Sequence, residues 1–189
     1  MSALPEVRRA DKLMPEEETL AFLAEGYCGR LGTVGADGQP YVTPLLYVVM
    51  DGEIWVHNAI EAGHLRANVL ANPRVCFEVD DAGPVFAYGR FECDTSVAYR
   101  SAVAFGRVRI VTDRAAKERF CHQLMAKYGP PDTGRPEGFF PRLAGICVYA
   151  INVERLTGKK TPLPSVSEQF PALDRSKSPE ARAPGLPQR

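Results

Sequence analysis

The chain has 189 residues, of which 45% are apolar, and its 23 basic and 23 acidic side chains cancel to a formal charge of zero. This length suits one domain with a sizeable core and leaves no room for a two-domain dinucleotide-binding enzyme. The charge balance, without a basic run, excludes bulk electrostatic recognition of nucleic acid or of an anionic membrane.

The longest apolar stretch, Tyr41 to Met50, is far short of the ~20 residues that a membrane helix needs. The N-terminal MSALPEVRRADKLMPEEE has no apolar core of the signal-peptide kind. A cytoplasmic protein is expected. Cys28, Cys76, Cys93, Cys121 and Cys147 are odd in number and form no CxxC pair, so they read as buried thiols rather than as disulfides or a zinc knuckle.

The first predicted element is a helix over Pro15–Ala24, whose proline and glutamates suit the positive end of a helix dipole and whose Leu20, Phe22 and Leu23 point to the core. Strands follow at Arg30–Val34, Tyr41–Met50 and Glu53–Asn58, joined by Gly35-Ala-Asp-Gly38 and by a tight Asp51-Gly52 turn. A short helix spans about Ala62 to Ala71 and stops before Asn72-Pro73. Further strands are expected at Arg74–Val79, Val85–Cys93 and Arg100–Val111, with Asp80-Asp-Ala-Gly-Pro84 as a turn. The next helix, Asp113–Tyr128, sets Ala116, Phe120, Leu124 and Tyr128 in one stripe and ends at Gly129-Pro130-Pro131. The last strand is Ile146–Val153. Seven short strands joined by hairpins imply a mainly β fold with flanking helices, an antiparallel sheet closing into a barrel.

Residues 1–160 therefore form one domain, and 161–189, with six prolines among 29 residues, form an extended tail. Pro162, Leu163, Pro164, Phe170 and Leu173 of that tail either dock on a partner subunit or remain unstructured.

The sequence lacks GxGxxG, GxxxxGK[ST], GxSxG and HExxH, which removes several large enzyme classes. Its histidines, His57, His64 and His122, have no spacing that favours a metal. What stands out is 54–73, IWVHNAIEAGHLRANVLANP, in which a strand leads through small residues into a helix. The first turn of such a helix offers unpaired N–H groups, and His64 and Arg66 stand near it, which suits a phosphate. The alternative is purely local: Asn58 and Glu61 as an N-cap pair, with His64 solvated at the surface.

The run His57-Asn-Ala…Gly63-His-Leu-Arg-Ala-Asn68, followed by Asn72-Pro-Arg-Val-Cys-Phe-Glu78, resembles the flavin-binding split-barrel superfamily of pyridoxamine phosphate oxidase and, within it, the nitroimidazole-resistance (Nim) type. Tyr41-Val-Thr-Pro-Leu45, Tyr99-Arg-Ser-Ala-Val-Ala-Phe-Gly106 and Leu156-Thr-Gly-Lys159 agree in order, so the resemblance covers residues 5 to 160. It implies a split β-barrel homodimer binding FMN in clefts lined by both chains. Asn58, Ala59, Gly63, His64 and Arg66 would then face the phosphate or ribityl chain, Thr43, Pro44 and Leu45 would line the isoalloxazine ring through backbone contacts, and Ser101 with Val103 would close the site. His57 would act as proton donor or electrostatic helper, or else be a strand-end residue bonded to backbone.

Many relatives carry Arg-Lys where this chain has Gly63-His64, and imidazole anchors phosphate less well than guanidinium does. FAD or haem are therefore alternatives to FMN. The activity implied is a flavin-dependent reductase taking electrons from a nicotinamide or other small donor to a small organic acceptor such as a nitroimidazole. The other reading is a flavin- or haem-binding module with little turnover, with His57, His64 or His122 as candidate haem ligands. Ile146–Lys160 has no compact arginine and histidine motif for a substrate phosphate, which argues against pyridoxamine phosphate oxidation itself.

Overall fold

A computed structural model of the chain describes residues 6–61, 63–88, 91, 93–130, 134, 136, 138–165 and 169. The chain divides into two compact units, one of Pro15–Val79 and Ala102–Gly158, the other of Met1–Met14, Asp80–Ser101 and Lys159–Arg189.

The larger unit contains α1 (Glu16–Glu25), β1 (Gly29–Val34), β2 (Pro40–Leu45), β3 (Tyr47–Met50), β4 (Glu53–Ala59), α2 (His64–Ala71) and α3 (Arg114–Tyr128). It also holds most of β7 (Ile146–Thr161) and parts of β5 (Arg74–Ala87) and β6 (Thr95–Val111), which continue in sequence into the smaller unit. The seven strands form one sheet in the order β2-β1-β5-β6-β7-β4-β3. The β1–β2, β1–β5, β3–β4 and β4–β7 pairs are antiparallel.

Alternation along the strands sorts the core into two faces. Val48 and Trp55, opposite each other on β3 and β4, pack with Val148, Ala150, Ala116 and Phe120 beneath α3. Tyr47 and Val56, the neighbouring pair, turn to the other face, where Tyr47 meets Phe77 edge-on with centroids 5.0 Å apart. The stripe expected on α3 is present, with Ala116 and Phe120 buried and Leu124 and Tyr128 packed beside them. Asp113 caps that helix by accepting from the Ala116 N–H at 2.8 Å.

On α1, Phe22 and Leu23 are buried but Leu20 is exposed, a correction to the expected inward trio. At 100° per residue, Leu20 lies 160° from Phe22 and one helix face cannot bury both. The carbonyls that α1 leaves without helical partners are taken by side chains: the Tyr47 hydroxyl donates to Leu23, and Lys127 Nζ to Ala24 at 2.9 Å.

The hairpin turn falls at Asp51-Gly52, where φ is +55° and +75°, as a two-residue turn of this hand requires. Several strand boundaries differ from expectation, β6 among them, which begins at Thr95 and not at Arg100. Tyr41–Met50 is two strands, interrupted at Leu46, whereas Asp80–Pro84 is not a turn but the middle of β5. There Gly83 keeps negative φ and lies where an added Cβ would come 3.2 Å from the Ala98 carbonyl oxygen of β6, so the two backbones approach closely. The expected Val85–Cys93 strand stops at Ala87 as the end of β5, and β7 runs on to Thr161 instead of ending at Val153. Among the thiols, Cys121 and Cys147 are buried, Cys28 and Cys76 half-buried, and Cys93 exposed, so burial holds for only two of the five. Phe170, Leu173 and most of the expected tail lie outside the described residues.

Candidate functional site

The site forms where α2 meets β1 and β2. Gly63 occupies the N-cap position with extended backbone and no side-chain cap, so the local alternative of Asn58 and Glu61 capping the helix is not what the structure shows. The N–H groups at the start of α2 have no helical carbonyl one turn behind them, as at any helix N-terminus, and no side chain caps them. Gly63 and His64 are both exposed. The His64 ring stacks on Tyr41 of β2, with centroids 4.9 Å apart and planes at 18°.

This placement is held from below. Asn68, one turn along α2, is buried and donates through Nδ2 to Thr33 Oγ1 at 3.0 Å, and Thr33 donates to the Tyr41 carbonyl at 3.3 Å. Tyr41, Thr43 and Leu45 alternate onto the face that carries Thr33, Leu31 and Gly29 in the β1–β2 register. Thr43 Oγ1 is buried without a hydrogen-bond partner, an arrangement that costs ~1–3 kcal/mol unless a partner arrives. Pro44 is exposed on the opposite face with Val42, and Leu45 is half-buried.

Asn58 joins the same side from β4. Its Oδ1 accepts from the Tyr149 hydroxyl at 3.0 Å, and burial raises the pKa of that tyrosine, which stays a neutral donor. Ala59 follows as the exposed end of β4, opposite Ile146 of β7. Arg66 is half-buried and gives Nη1 to the Ile60 carbonyl at 2.7 Å, so part of its guanidinium serves the loop before α2.

His57 faces the other way. Its ring packs edge-on against Phe120 of α3 with centroids 5.5 Å apart, its Nδ1 is buried without a partner, and burial lowers its pKa. Ser101 and Val103 are half-buried and share one face of β6, with Ala102 buried between them on the other. Thus Tyr41, Thr43, Asn58, Gly63 and His64 gather around one side of the sheet, and His57 lies on the side of α3.

Tyr41, Thr33, Asn68 and Tyr149 received no role from the sequence. A polar Asn68 on the buried stripe of α2 was the available signal for the first three; Tyr149 has none, because its partner is 91 positions away.

A mostly antiparallel seven-stranded sheet with three helices among the described residues is the architecture of the split-barrel class. The pyridoxamine 5'-phosphate oxidase family matches residues 15–160, and the chain belongs to that family. Its fold is similar to a conserved hypothetical protein of Mycobacterium tuberculosis, at 26% identity over 85% of this chain and 97% of the other, with a TM-score of 0.66. It is also similar to a protein from Bacteroides thetaiotaomicron assigned to 5-nitroimidazole antibiotic resistance, at 20% identity over 78% of this chain and 85% of the other, with a TM-score of 0.64. A third relative in fold is the FAD and heme binding protein of Mycobacterium smegmatis, at 19% identity, covering 82% and 76% of the two chains, with a TM-score of 0.66. No curated protein matches the sequence. Among the described residues, no helix is long and apolar enough to cross a membrane.

Proposed function

We propose that this chain binds a flavin mononucleotide through the α2 N-terminus and β2, as a homodimer, and serves as a reductase of a small organic acceptor. The observation that carries this reading is the uncapped first turn of α2, exposed at Gly63 and His64 and fixed to β2 by the Tyr41–His64 stack. Convergent N–H groups at the positive end of a helix suit a phosphate dianion.

The residues fit the rest of such a cofactor. Thr43 Oγ1 is a buried hydroxyl that lacks a partner, and a heteroatom of an isoalloxazine ring supplies one. The β2 backbone is at the end of the sheet order, so the edge away from β1 is open to a planar polar ring. Val42, 60% exposed, and Pro44 lie together on the face of β2 away from Tyr41, an apolar surface that a second copy of the chain would cover.

When bound, the cofactor supplies the two-electron relay between a nicotinamide or other donor and the acceptor. The chain's own part is to hold and orient it, with His64 and the helix N–H groups at the phosphate, Thr43 at the ring and Asn58 beside the polar chain. His57 packs on Phe120 of α3, on the side of β4 opposite Asn58, and stays outside this cofactor site. A nitro group such as that of a 5-nitroimidazole is the acceptor to try first.

Titration of the purified protein with FMN, FAD and haemin, followed by nicotinamide-driven reduction of a 5-nitroimidazole, tests the reading. FMN uptake with turnover supports it. Haem uptake without flavin uptake would replace it with a haem-binding module.

A further inference from the structure

The loop that presents the α2 N-terminus is held by a chain of hydrogen bonds that starts on another helix. Lys117 of α3 donates from Nζ to two backbone carbonyls, Leu143 at 2.7 Å and Ile146 at 2.9 Å, spanning the turn that leads into β7. Within that turn, the Gly145 N–H donates to the Arg142 carbonyl at 2.9 Å and the Gly145 carbonyl accepts from the Ile60 N–H at 3.0 Å. Ile60 is the first residue after β4, and its own carbonyl accepts from Arg66 Nη1 at 2.7 Å. The register continues the clamp, since Ala59 lies opposite Ile146. Ile60 is thus tied on one side to the 143–146 turn and on the other to Arg66 in the first turn of α2.

We propose that Lys117 is a positioning residue for the phosphate end of the cofactor, acting through Leu143, Ile146 and Ile60 on the loop that carries Gly63 and His64. The proposal rests on the phosphate-binding reading of α2 given above. An ammonium that is half-buried and satisfied by two carbonyls is a strong local tie, because each bond is charge-assisted. Cutting it frees the 143–146 turn and, through the Gly145–Ile60 bond, loosens Ile60 and with it the approach to the helix N–H groups. Arg66 closes the same chain from the α2 side, so part of its work is to brace the loop.

A positioning role differs from a general structural role in which ligand it affects. Riboflavin has the ring and ribityl chain of FMN but no phosphate. Lys117→Met keeps the aliphatic stem and removes both donors, and Lys117→Arg keeps two donors at similar reach. The test measures the dissociation constants of FMN and riboflavin, and the thermal midpoint, for the wild-type chain and both variants. The expected result is a loss of FMN affinity of about tenfold in Lys117→Met, as removal of charge-assisted bonds gives, with riboflavin affinity unchanged and FMN affinity restored in Lys117→Arg.

Equal weakening of both ligands, or no change in either, overturns the proposal. If the wild-type chain binds FMN no more tightly than riboflavin, the phosphate reading of α2 itself fails, and the proposal fails with it. Should Lys117→Met not fold, Lys117→Gln, which reaches one carbonyl at most, is read in the same way.

Discussion

The imidazole of His64 lies 4.9 Å from the phenol ring of Tyr41 in planes only 18° apart, joining the first residue of α2 to the second residue of β2. Because both rings are exposed, the contact adds little to stability, and its main consequence is the placement of the α2 N-terminus. His64→Ala is therefore expected to shift the thermal midpoint by only a degree or two while weakening FMN binding about three- to tenfold, the worth of one exposed donor at a phosphate. Isothermal titration of FMN and riboflavin checks this, with riboflavin binding expected to stay unchanged.

Beneath that stack, Asn68 Nδ2 donates to Thr33 Oγ1 at 3.0 Å between two buried side chains. Asn68→Leu removes the donor and leaves the Thr33 hydroxyl with its bond to the Tyr41 carbonyl only. A loss of ~1–3 kcal/mol is expected, with the chain still folded. Urea denaturation of the two proteins measures it, and a loss of FMN affinity should accompany it because Tyr41 loosens.

Gly106 on β6 sits where an added Cβ would come 2.1 Å from the Asn152 carbonyl oxygen of β7. Backbone cannot yield as a flexible side chain does, so Gly106→Ala forces the two strands apart. A destabilisation of at least ~2 kcal/mol is expected. Gly63→Ala is the control: nothing lies within 4 Å of its added Cβ, and its stability should be close to that of the wild type.

His57 gives the pH dependence. Burial lowers its pKa from the ordinary value of 6.5, so below that value the unfolded chain binds a proton that the folded chain resists. Stability is thus fully present above about pH 6.5 and falls as the solution is acidified toward the lowered pKa of the folded chain. His57→Gln should flatten this part of the profile between pH 7 and pH 5, measured as thermal midpoint against pH. Because His57 lies on the side of α3, the same variant should retain both FMN binding and reductase turnover.

The features fixed by local chemistry were legible in the sequence. Asp51-Gly52 could only be a tight turn, Asp113 and the Ala116–Phe120 stripe announced α3, and Asn72-Pro73 ended α2 where expected. What escaped depended on neighbours distant in the chain. Asp80–Pro84 has the composition of a turn, yet it continues as strand because β6 lies close enough at Ala98 to pair with it. The site shows the same division. Gly63 and His64 stood out as the start of a helix, whereas the Tyr41 stack, the Thr33–Asn68 bond and the Lys117 brace need the fold to bring together residues that lie 23 or more positions apart. His57 alternates with Asn58, so the two neighbours lie on opposite sides of β4.

The most direct test of flavin binding is an absorbance spectrum of the purified protein before and after FMN is added, with mass identification of whatever heat releases. The expected result is the paired bands of oxidised flavin and released FMN. A colourless protein that takes up neither FMN nor FAD, or one showing the single intense band of haem, would contradict it.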